Sequence, residues 1–229
     1  MCFCKNIVLD KVPQKIVADI SADSKYWLYI NGETVVFEGS VKRGPDENSG
    51  YYDSVDIAPY LQKGENSICA LVWFWDDETG YSYKSSGQGG FIFEAVGEGI
   101  AVISDKSWKA KRHSAYIDSA LYPPNYRLAE YSVYFDARKD IGDWINNDYD
   151  ISSWKNATEY SVGGEGVYGK LYPRGIPFLK DYGLKDYENS KSYENYTVKK
   201  LFGEKITVDI PYNAQLTPYL KIIAPAGKK

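Results

Sequence analysis

The chain has 229 residues, of which 44% are hydrophobic, 25% charged and 16% aromatic, with 22 tyrosines, 6 tryptophans and a single methionine. This is the composition of a globular protein, and the length fits one large β domain or two small ones. The net charge of −4 comes from interspersed charges without a basic stripe, so nucleic acid is not an expected partner, and no apolar run reaches the roughly 20 residues that a membrane span needs.

The first half of the chain alternates short β-like runs with turn signals about every ten residues, which predicts a sandwich or a barrel. Asn31-Gly32 between two apolar runs is the strongest short signal for a hairpin. No segment keeps a 3.6-residue apolar period, so long helices are not expected. Strands are predicted at residues 6–9, 16–22, 26–30, 34–38, 51–56, 67–75, 90–95 and 101–104, with one helical turn at 57–61.

The aromatic strand before Asn31-Gly32 is either a sugar-contacting surface or part of a packed sandwich. Alternation places Tyr26, Leu28 and Ile30 on one face of this strand and Trp27 and Tyr29 on the other. The residues favour the packed sandwich, with Leu28 and Ile30 in its core.

The second half is less regular. Residues 131–137 alternate as a strand, 140–154 predict a structured loop with short turns, and 170–183 predict an extended crossover. A polar link at 186–196 precedes strands predicted at 197–201, 205–210 and 219–223. The chain stops directly after an apolar run, and from this we expect the natural protein to continue.

The three cysteines are interpreted as structural thiols. Cys2 and Cys4 alternate in a strand and would share a face, and Cys69 lies in an apolar run as a small buried hydrophobe. Three cysteines and the single His113 do not make a zinc set. The sequence thus favours free thiols over a disulfide or a metal, and it indicates no cofactor.

Catalytic signals are weak. A glycosidase needs two carboxylates about the scissile bond, and the cluster Asp76-Asp77-Glu78 follows two tryptophans, but a solvated loop explains it better. There is no Gly-x-Ser-x-Gly nucleophile elbow, and His113 is predicted at a surface strand end. Asp136 and Arg138 are interpreted as a pair that holds loops together, with contact to a ligand as the alternative.

Sugar binding without catalysis is the other candidate chemistry, and it points to the loop at residues 73–90. This loop combines aromatic rings with polar side chains, and binding sites concentrate on loops of rigid scaffolds. Alternation sends Trp73 and Trp75 to one face and Phe74 to the other, toward the core. Burial or contact with a neighbouring domain is the favoured alternative. The candidate carbohydrate-binding residues are Trp75, Asp76, Asp77, Tyr81, Tyr83 and Lys84.

The phrases ADSKYWLYINGE, YYDSVDIAPYLQKGEN, SDKSWKA, YSVYFDARKDIGDW and YDISSWKNA together resemble, in this order, the N-terminal domain of bacterial α-L-rhamnosidases of glycoside hydrolase family 78. The hairpin and the later D-I-A-x-x-L-x-x-GEN turn also resemble the wider galactose-binding-like jelly rolls. VDIPYNAQLTPYLKIIAPAG resembles the start of the next β domain of these enzymes.

The resemblance implies an all-β fold: an antiparallel jelly-roll β-sandwich at residues 1–180, then a linker and the truncated start of a following β domain at 181–229, with extra strands. Enzymes of this family hydrolyse terminal α-L-rhamnose with inversion, using carboxylates in a helical barrel that follows the β domains. No residue of this chain matches those catalytic motifs. We therefore expect a module that is inactive alone.

The expected role of this module is to support the downstream catalytic domain, with accessory binding of rhamnose-containing glycans. The alternatives are an independent carbohydrate-binding module and a small self-contained glycosidase that uses carboxylates such as Asp76 or Glu78. The resemblance also implies a periplasmic or extracellular bacterial protein whose export signal lies outside this chain.

Overall fold

A computed structural model describes residues 1–40, 44–46, 49–75, 88–117, 133–160, 169–197, 205–213, 216, 218–221 and 223. The chain divides into two compact units, Met1–Leu179 and Lys180–Lys229. The first unit contains all the strands of the described residues.

Eleven strands are present among the described residues, together with two single 3-10 turns in the first unit, Ala58–Tyr60 and Ala137–Lys139. All eight strands predicted for the first half of the chain and the helical turn at 57–61 are confirmed. The strands are β1 (Cys2–Leu9), β2 (Val17–Asp23), β3 (Lys25–Ile30), β4 (Glu33–Gly39), β5 (Ser49–Asp56), β6 (Gly64–Trp73), β7 (Gly90–Gly97), β8 (Ile100–Ile103), β9 (Lys109–Lys111), β10 (Lys155–Asn156) and β11 (Lys170–Pro173).

The strands form two sheets. Sheet A has the order β10-β9-β1-β6-β3-β4, and sheet B has the order β11-β5-β2-β7-β8. The named pairings are antiparallel except that of β11 with β5, which is parallel. The predicted all-β sandwich is therefore confirmed, and one parallel strand is added at the edge of sheet B.

The core lies between the sheets and follows the alternation of the strands. Tyr26, Leu28 and Ile30 are fully buried in it, as the sequence predicted. Facing residues of sheet B, such as Ile20 and Phe93, complete the same cluster. Burial of apolar side chains between two sheets is the main stabilising term for this architecture.

The Asn31-Gly32 turn has the predicted geometry. Ile30 pairs with Glu33, so the hairpin loop has two residues. Asn31 and Gly32 have φ of 52° and 84°, as a turn with two left-handed central residues requires. The side-chain amide of Asn31 also donates to the carbonyl oxygen of Tyr60 at 2.8 Å, which ties the hairpin turn to the 3-10 turn Ala58–Tyr60.

Several short or late elements differ from the prediction. Residues 133–137 form no strand: Phe135 makes one isolated bridge with Tyr116, because the chain then turns into the 3-10 segment Ala137–Lys139. Strands β9, β10 and β11 were not predicted, since runs of two to four residues carry little periodicity.

The described residues of the second unit contain no strand, so the strand predicted at 205–210 is absent. Most of the strand predicted at 197–201 and part of that at 219–223 lie outside the described residues. The second unit has one 3-10 turn, Ser190–Tyr193. At residues 205–210, side-chain hydrogen bonds replace a strand ladder: the amide of Asn189 donates to Asp209 Oδ2 at 2.8 Å, and the Asp209 N–H donates to Asn189 Oδ1 at 3.0 Å.

The cysteine interpretation is corrected for one pair. Cys4 and Cys69 form a disulfide, because β1 and β6 pair in a register that places these residues directly opposite each other on one face. That register is invisible in the sequence. Cys2 is free and buried, and desolvation raises the pKa of its thiol to about 12.

Candidate functional site

Part of the outer face of sheet A is covered by a later segment of the chain, residues 140–154. Trp144 and Trp154, both buried, pack with Cys2, Cys4 and Cys69 on this face. The Trp144 carbonyl oxygen lies 3.8 Å and 3.7 Å from the sulfurs of Cys4 and Cys69. The predicted structured loop at 140–154 is confirmed, and it forms a second apolar cluster.

Backbone hydrogen bonds fix this segment to the sheet. The N–H of Gly32 donates to the Ile145 carbonyl oxygen at 3.1 Å, and the Ser67 hydroxyl donates to the same oxygen at 3.2 Å. The N–H of Ser67 donates to Asn147 Oδ1 at 2.9 Å. The hairpin turn of the opening strands is thus also the docking point of the later segment.

A lysine surrounded by tryptophans lies where β6 ends and the predicted sugar-binding loop begins. Lys25 Nζ lies 5.3 Å, 5.2 Å and 5.5 Å from the ring centroids of Trp27, Trp73 and Trp75. It also lies 3.3 Å from Glu38 Oε1. These cation–π and ionic contacts hold the base of the loop against sheet A.

Of the six candidate carbohydrate-binding residues, the structure describes only Trp75. Its side chain is 1% exposed, and its backbone N–H donates to Ser24 Oγ at 3.0 Å. Asp76, Asp77, Tyr81, Tyr83 and Lys84 lie outside the described residues. Assignment of a sugar site to this set stays a prediction.

The alternation prediction fails just after Trp73. Phe74 was expected to point into the core, but 37% of it is exposed, whereas Trp75 is buried. The reason is that β6 ends at Trp73, so the two-residue period of the strand no longer governs the following side chains.

His113 is buried rather than at a surface strand end, with only 6% exposed. Its ring lies 4.9 Å from Tyr116 and 6.0 Å from Phe135. Desolvation lowers its pKa, although the Asp140 carboxylate, 3.5 Å from Nε2, opposes this shift. Since Nδ1 accepts the N–H of Ala115 at 3.3 Å, the proton of the neutral ring is assigned to Nε2, facing Asp140.

Asp136 and Arg138 form the predicted pair. Arg138 Nε and Nη2 donate to Asp136 Oδ1 and Oδ2, each at 2.8 Å. Asp136 also caps the 3-10 turn by accepting the Arg138 N–H at 3.2 Å. The side-chain hydrogen bond from Arg138 is the largest of the effects that lower the pKa of Asp136 to about 2. The pair stabilises this turn locally.

One buried ionic network was missed by the sequence reasoning. Asp53 Oδ1 lies 3.0 Å from Arg174 Nη1, and both side chains are almost fully buried. The Tyr26 hydroxyl donates to Asp53 Oδ2 at 2.8 Å, and burial, more than the nearby Asp53 charge, raises the pKa of Tyr26 well above its usual value. The available signal was the inward position of Asp53 in an alternating strand, where a charge requires a partner.

An open cleft of about 580 Å³ lies at the outer face of sheet A, between β1, β9 and the segment that covers the sheet. Its lining is mostly polar, with one tyrosine. No sequence motif pointed to it, because its walls come from four separated parts of the chain. They are Cys4, Lys5, Asn6, Glu65, Ser107, Lys109, Asn147, Asp148, Tyr149, Asp150, Ile151 and Ser152.

Other kinds of site were not found in the part of the chain that the structure describes. That part holds no group of three or more His, Cys, Asp or Glu side chains suited to a metal ion. Nor does it include a helix with the length and hydropathy of a membrane span.

The fold and these surfaces define a two-sheet β-sandwich module. The family model of the α-L-rhamnosidase N-terminal domain matches residues 11–171, and the chain therefore belongs to this family. A search of curated protein sequences found no match.

Solved rhamnosidase structures share the fold of this chain. The chain is 28% identical to the family 78 rhamnosidase of Bacillus sp. GL1, with a TM-score of 0.68 over 77% of this chain and 18% of that one. The α-L-rhamnosidase of Dictyoglumus thermophilum has 24% identity and a TM-score of 0.58, over 77% and 19% of the two chains. The α-L-rhamnosidase of Aspergillus terreus has 20% identity and a TM-score of 0.56, over 74% of this chain and 20% of that one. The chain thus spans about a fifth of the length of these rhamnosidases.

Proposed function

We propose that this chain is a non-catalytic β-sandwich module of an α-L-rhamnosidase-like glycoside hydrolase, where it supports the downstream catalytic domain. The family match over residues 11–171 carries the proposal. The module accounts for 18–20% of the similar solved rhamnosidases, so most of each of those chains lies outside the matched region.

The packing of the first unit is consistent with a supporting role. Its outer cluster around Trp144 and its inner core both exclude water, and the buried Asp53–Arg174 pair ties β11 to β5. Because apolar clusters pack against both faces of sheet A, the sandwich offers a firmly packed surface for contact with another domain. Accessory binding of rhamnose-containing glycans is the second part of the proposal.

We also propose that the protein works in the periplasm or outside the cell. The Cys4–Cys69 disulfide supports this, because such bonds persist mainly in oxidising compartments.

A domain exchange tests the supporting role. Residues 1–179 of this chain replace the matching segment of the Bacillus sp. GL1 rhamnosidase, and a deletion of that segment serves as control. We expect the exchange enzyme to be soluble and to hydrolyse an aryl α-L-rhamnoside, and the deletion enzyme to lose thermal stability and activity. An exchange enzyme no better than the deletion would contradict the proposal.

The isolated chain tests the alternative of a small glycosidase. We expect no turnover of the aryl rhamnoside by the chain alone. Turnover that Asp76→Asn abolishes would overturn the non-catalytic role and favour the carboxylates of the 73–90 loop.

A further inference from the structure

The cleft at the outer face of sheet A has a floor and a wall of different origin. Asn6 of β1 and Lys109 of β9 form the floor, and residues 147–152 form the wall. The volume of about 580 Å³ lies within the range of small-molecule sites. The wall is fixed to the sheet through Asn147, which accepts the N–H of Ser67 at 2.9 Å.

Part of the polar lining is already occupied by partners within the protein. Lys5 Nζ donates to Ser107 Oγ, and Lys109 Nζ donates to Asn156 Oδ1 at 2.8 Å. Asp150 Oδ1 accepts the N–H of Ser152 at 2.8 Å. These hydrogen bonds orient the two lysine side chains and one of the three carboxylates of the lining. They leave all three groups charged, because each partner is neutral.

The remaining polar groups of the lining include both hydrogen-bond donors and hydrogen-bond acceptors. Within the described ranges, the side chains of Asn6, Glu65, Asp148 and Tyr149 line the cleft without a hydrogen-bond partner. The two carboxylates accept, the tyrosine hydroxyl donates and accepts, and the amide does both. Asn6, Glu65 and Asp148 are exposed to solvent, so a ligand can reach them.

Tyr149 adds an apolar surface among these polar groups. Its ring is half-buried and lies edge-on to Trp154, with the ring centroids 6.1 Å apart and the planes at 70°. This contact fixes the orientation of the tyrosine ring. A fixed aromatic ring beside acceptors and donors can pack against the C–H face of a ring that carries hydroxyl groups.

The carboxylates of the cleft outnumber its ammonium groups, so an anion is disfavoured. Glu65, Asp148 and Asp150 line it. The lysines of the lining keep their positive charge while they donate to the neutral oxygens of Ser107 and Asn156. Among the described residues, these carboxylates do not form a group suited to a metal ion. A neutral ligand with several hydroxyl groups satisfies the lining without burying an unpaired charge.

We propose that this cleft binds a neutral saccharide unit, with Asp148, Glu65 and Asn6 hydrogen-bonding its hydroxyl groups and Tyr149 packing against its ring. The assignment rests on the proposed function in placing the module in a carbohydrate-active enzyme. It names a site separate from the 73–90 loop. It also deepens the accessory role, because a sugar held here is bound by the rigid face of the sandwich.

The test is a titration of the full chain with methyl α-L-rhamnopyranoside, and with D-galactose and D-glucose as comparison sugars. Calorimetry and tryptophan fluorescence report binding, the latter because Trp154 contacts Tyr149. We expect saturable binding of at least one sugar below ~50 mM, and a Kd raised at least ~10-fold by Asp148→Asn and by Tyr149→Ala. Asp148→Asn removes an exposed charge, so it is informative even where Tyr149→Ala lowers stability.

Matched controls separate this site from the predicted one. Val96→Ser, at an exposed position of sheet B, should leave the Kd unchanged. Tyr81→Ala tests whether the predicted 73–90 loop binds the sugar instead. The proposal is overturned by the absence of saturable binding, by binding that is lost in Tyr81→Ala but kept in Asp148→Asn, or by saturable binding of inorganic phosphate or Ca²⁺ at the cleft instead of a sugar. Each of these outcomes leaves the domain-exchange result, and thus the supporting role, unaffected.

Discussion

Both faces of sheet A carry a buried apolar cluster, but the two clusters are built in different ways. The inner face carries Tyr26, Leu28 and Ile30, which meet sheet B across the sandwich. The outer face carries Tyr29 and the Cys4–Cys69 disulfide, which meet Trp144 from a later segment. The inner face follows from alternation within each strand. The outer face depends on a segment with no period that docks by backbone hydrogen bonds and aromatic packing.

The largest expected effect concerns the buried Asp53–Arg174 pair, which lies beside Tyr26 of the inner face. Arg174→Met leaves the Asp53 carboxylate buried beside Tyr26 without its counter-charge, which should lower the free energy of unfolding by about 3–5 kcal/mol. Urea unfolding measures it. Lys170→Met removes a charge from an exposed side chain of β11, the strand that ends just before Arg174, and should change stability little. Equal stability of the two variants would contradict the assignment.

The aliphatic inner face is tested by Leu28→Ala or Ile30→Ala. Each removes a fully buried side chain and should cost about 2–5 kcal/mol in unfolding free energy. Val96 has 60% of its surface exposed on sheet B, and Val96→Ala is the matched aliphatic control, expected within about 0.5 kcal/mol of the parent. Near-neutral stability of both core variants would disprove the inner-face assignment.

The disulfide tests the outer face. The double variant Cys4→Ala/Cys69→Ala lacks the cross-link between two residues that are 65 positions apart. Its unfolded state is therefore less constrained, and its free energy of unfolding should fall by about 2–4 kcal/mol. Unfolding with and without reductant measures the same difference in the parent chain. Thiol titration of the unfolded, non-reduced protein should find one free thiol, that of Cys2; three free thiols would refute the bond.

The turn that both faces share is tested at Gly32. Gly32→Ala places a side chain on a residue with φ of 84°, at 2.3 Å from Asn146 Oδ1, and should cost about 1–3 kcal/mol. A Cβ at Gly175 meets no heavy atom within 4 Å, so Gly175→Ala is the control. If the two variants melt at the same temperature, the turn does not have the left-handed geometry.

The smallest effect is the local titration of Asp136. Its carboxyl should titrate with a pKa of about 2, below the ordinary value of about 3.9. The ion pair therefore stabilises the turn fully at a pH above the ordinary pKa of an aspartate. This stabilisation is lost as the pH falls through about 2, where Asp136 becomes protonated. In ¹³C-detected NMR titration, Arg138→Gln should return the pKa toward the ordinary range, whereas Arg112→Gln should not.

Much of the sandwich could be predicted from the sequence, because strands and tight turns are specified by residues that are close together in the chain. Eight strands, the Asn31-Gly32 turn and the burial of Leu28 follow from alternation and turn chemistry. The strand predicted at 131–137 failed at its described end because Asp136 caps a 3-10 turn. The strand predicted at 205–210 failed because Asn189 pairs with Asp209. Short side-chain hydrogen bonds of this kind compete with a ladder.

The candidate sites were less predictable, since they combine distant residues. The sequence named the 73–90 loop from composition, and Trp75 of that set is buried against Lys25. The cleft beside Tyr149 had no sequence signal, because β1, β9 and residues 147–152 meet only after sheet A forms and the later segment docks on it.

The sequence by itself determined the all-β sandwich, its hairpin and its relation to the rhamnosidase N-terminal domains, because strand period, turn residues and short motifs are properties of neighbouring positions. The tertiary structure alone decided the pairing of Cys4 with Cys69, the partnership of Asp53 with Arg174 and the walls of the cleft. Each depends on strand register or on long-range docking, and a hydrophobic pattern does not encode which distant strand a residue will face.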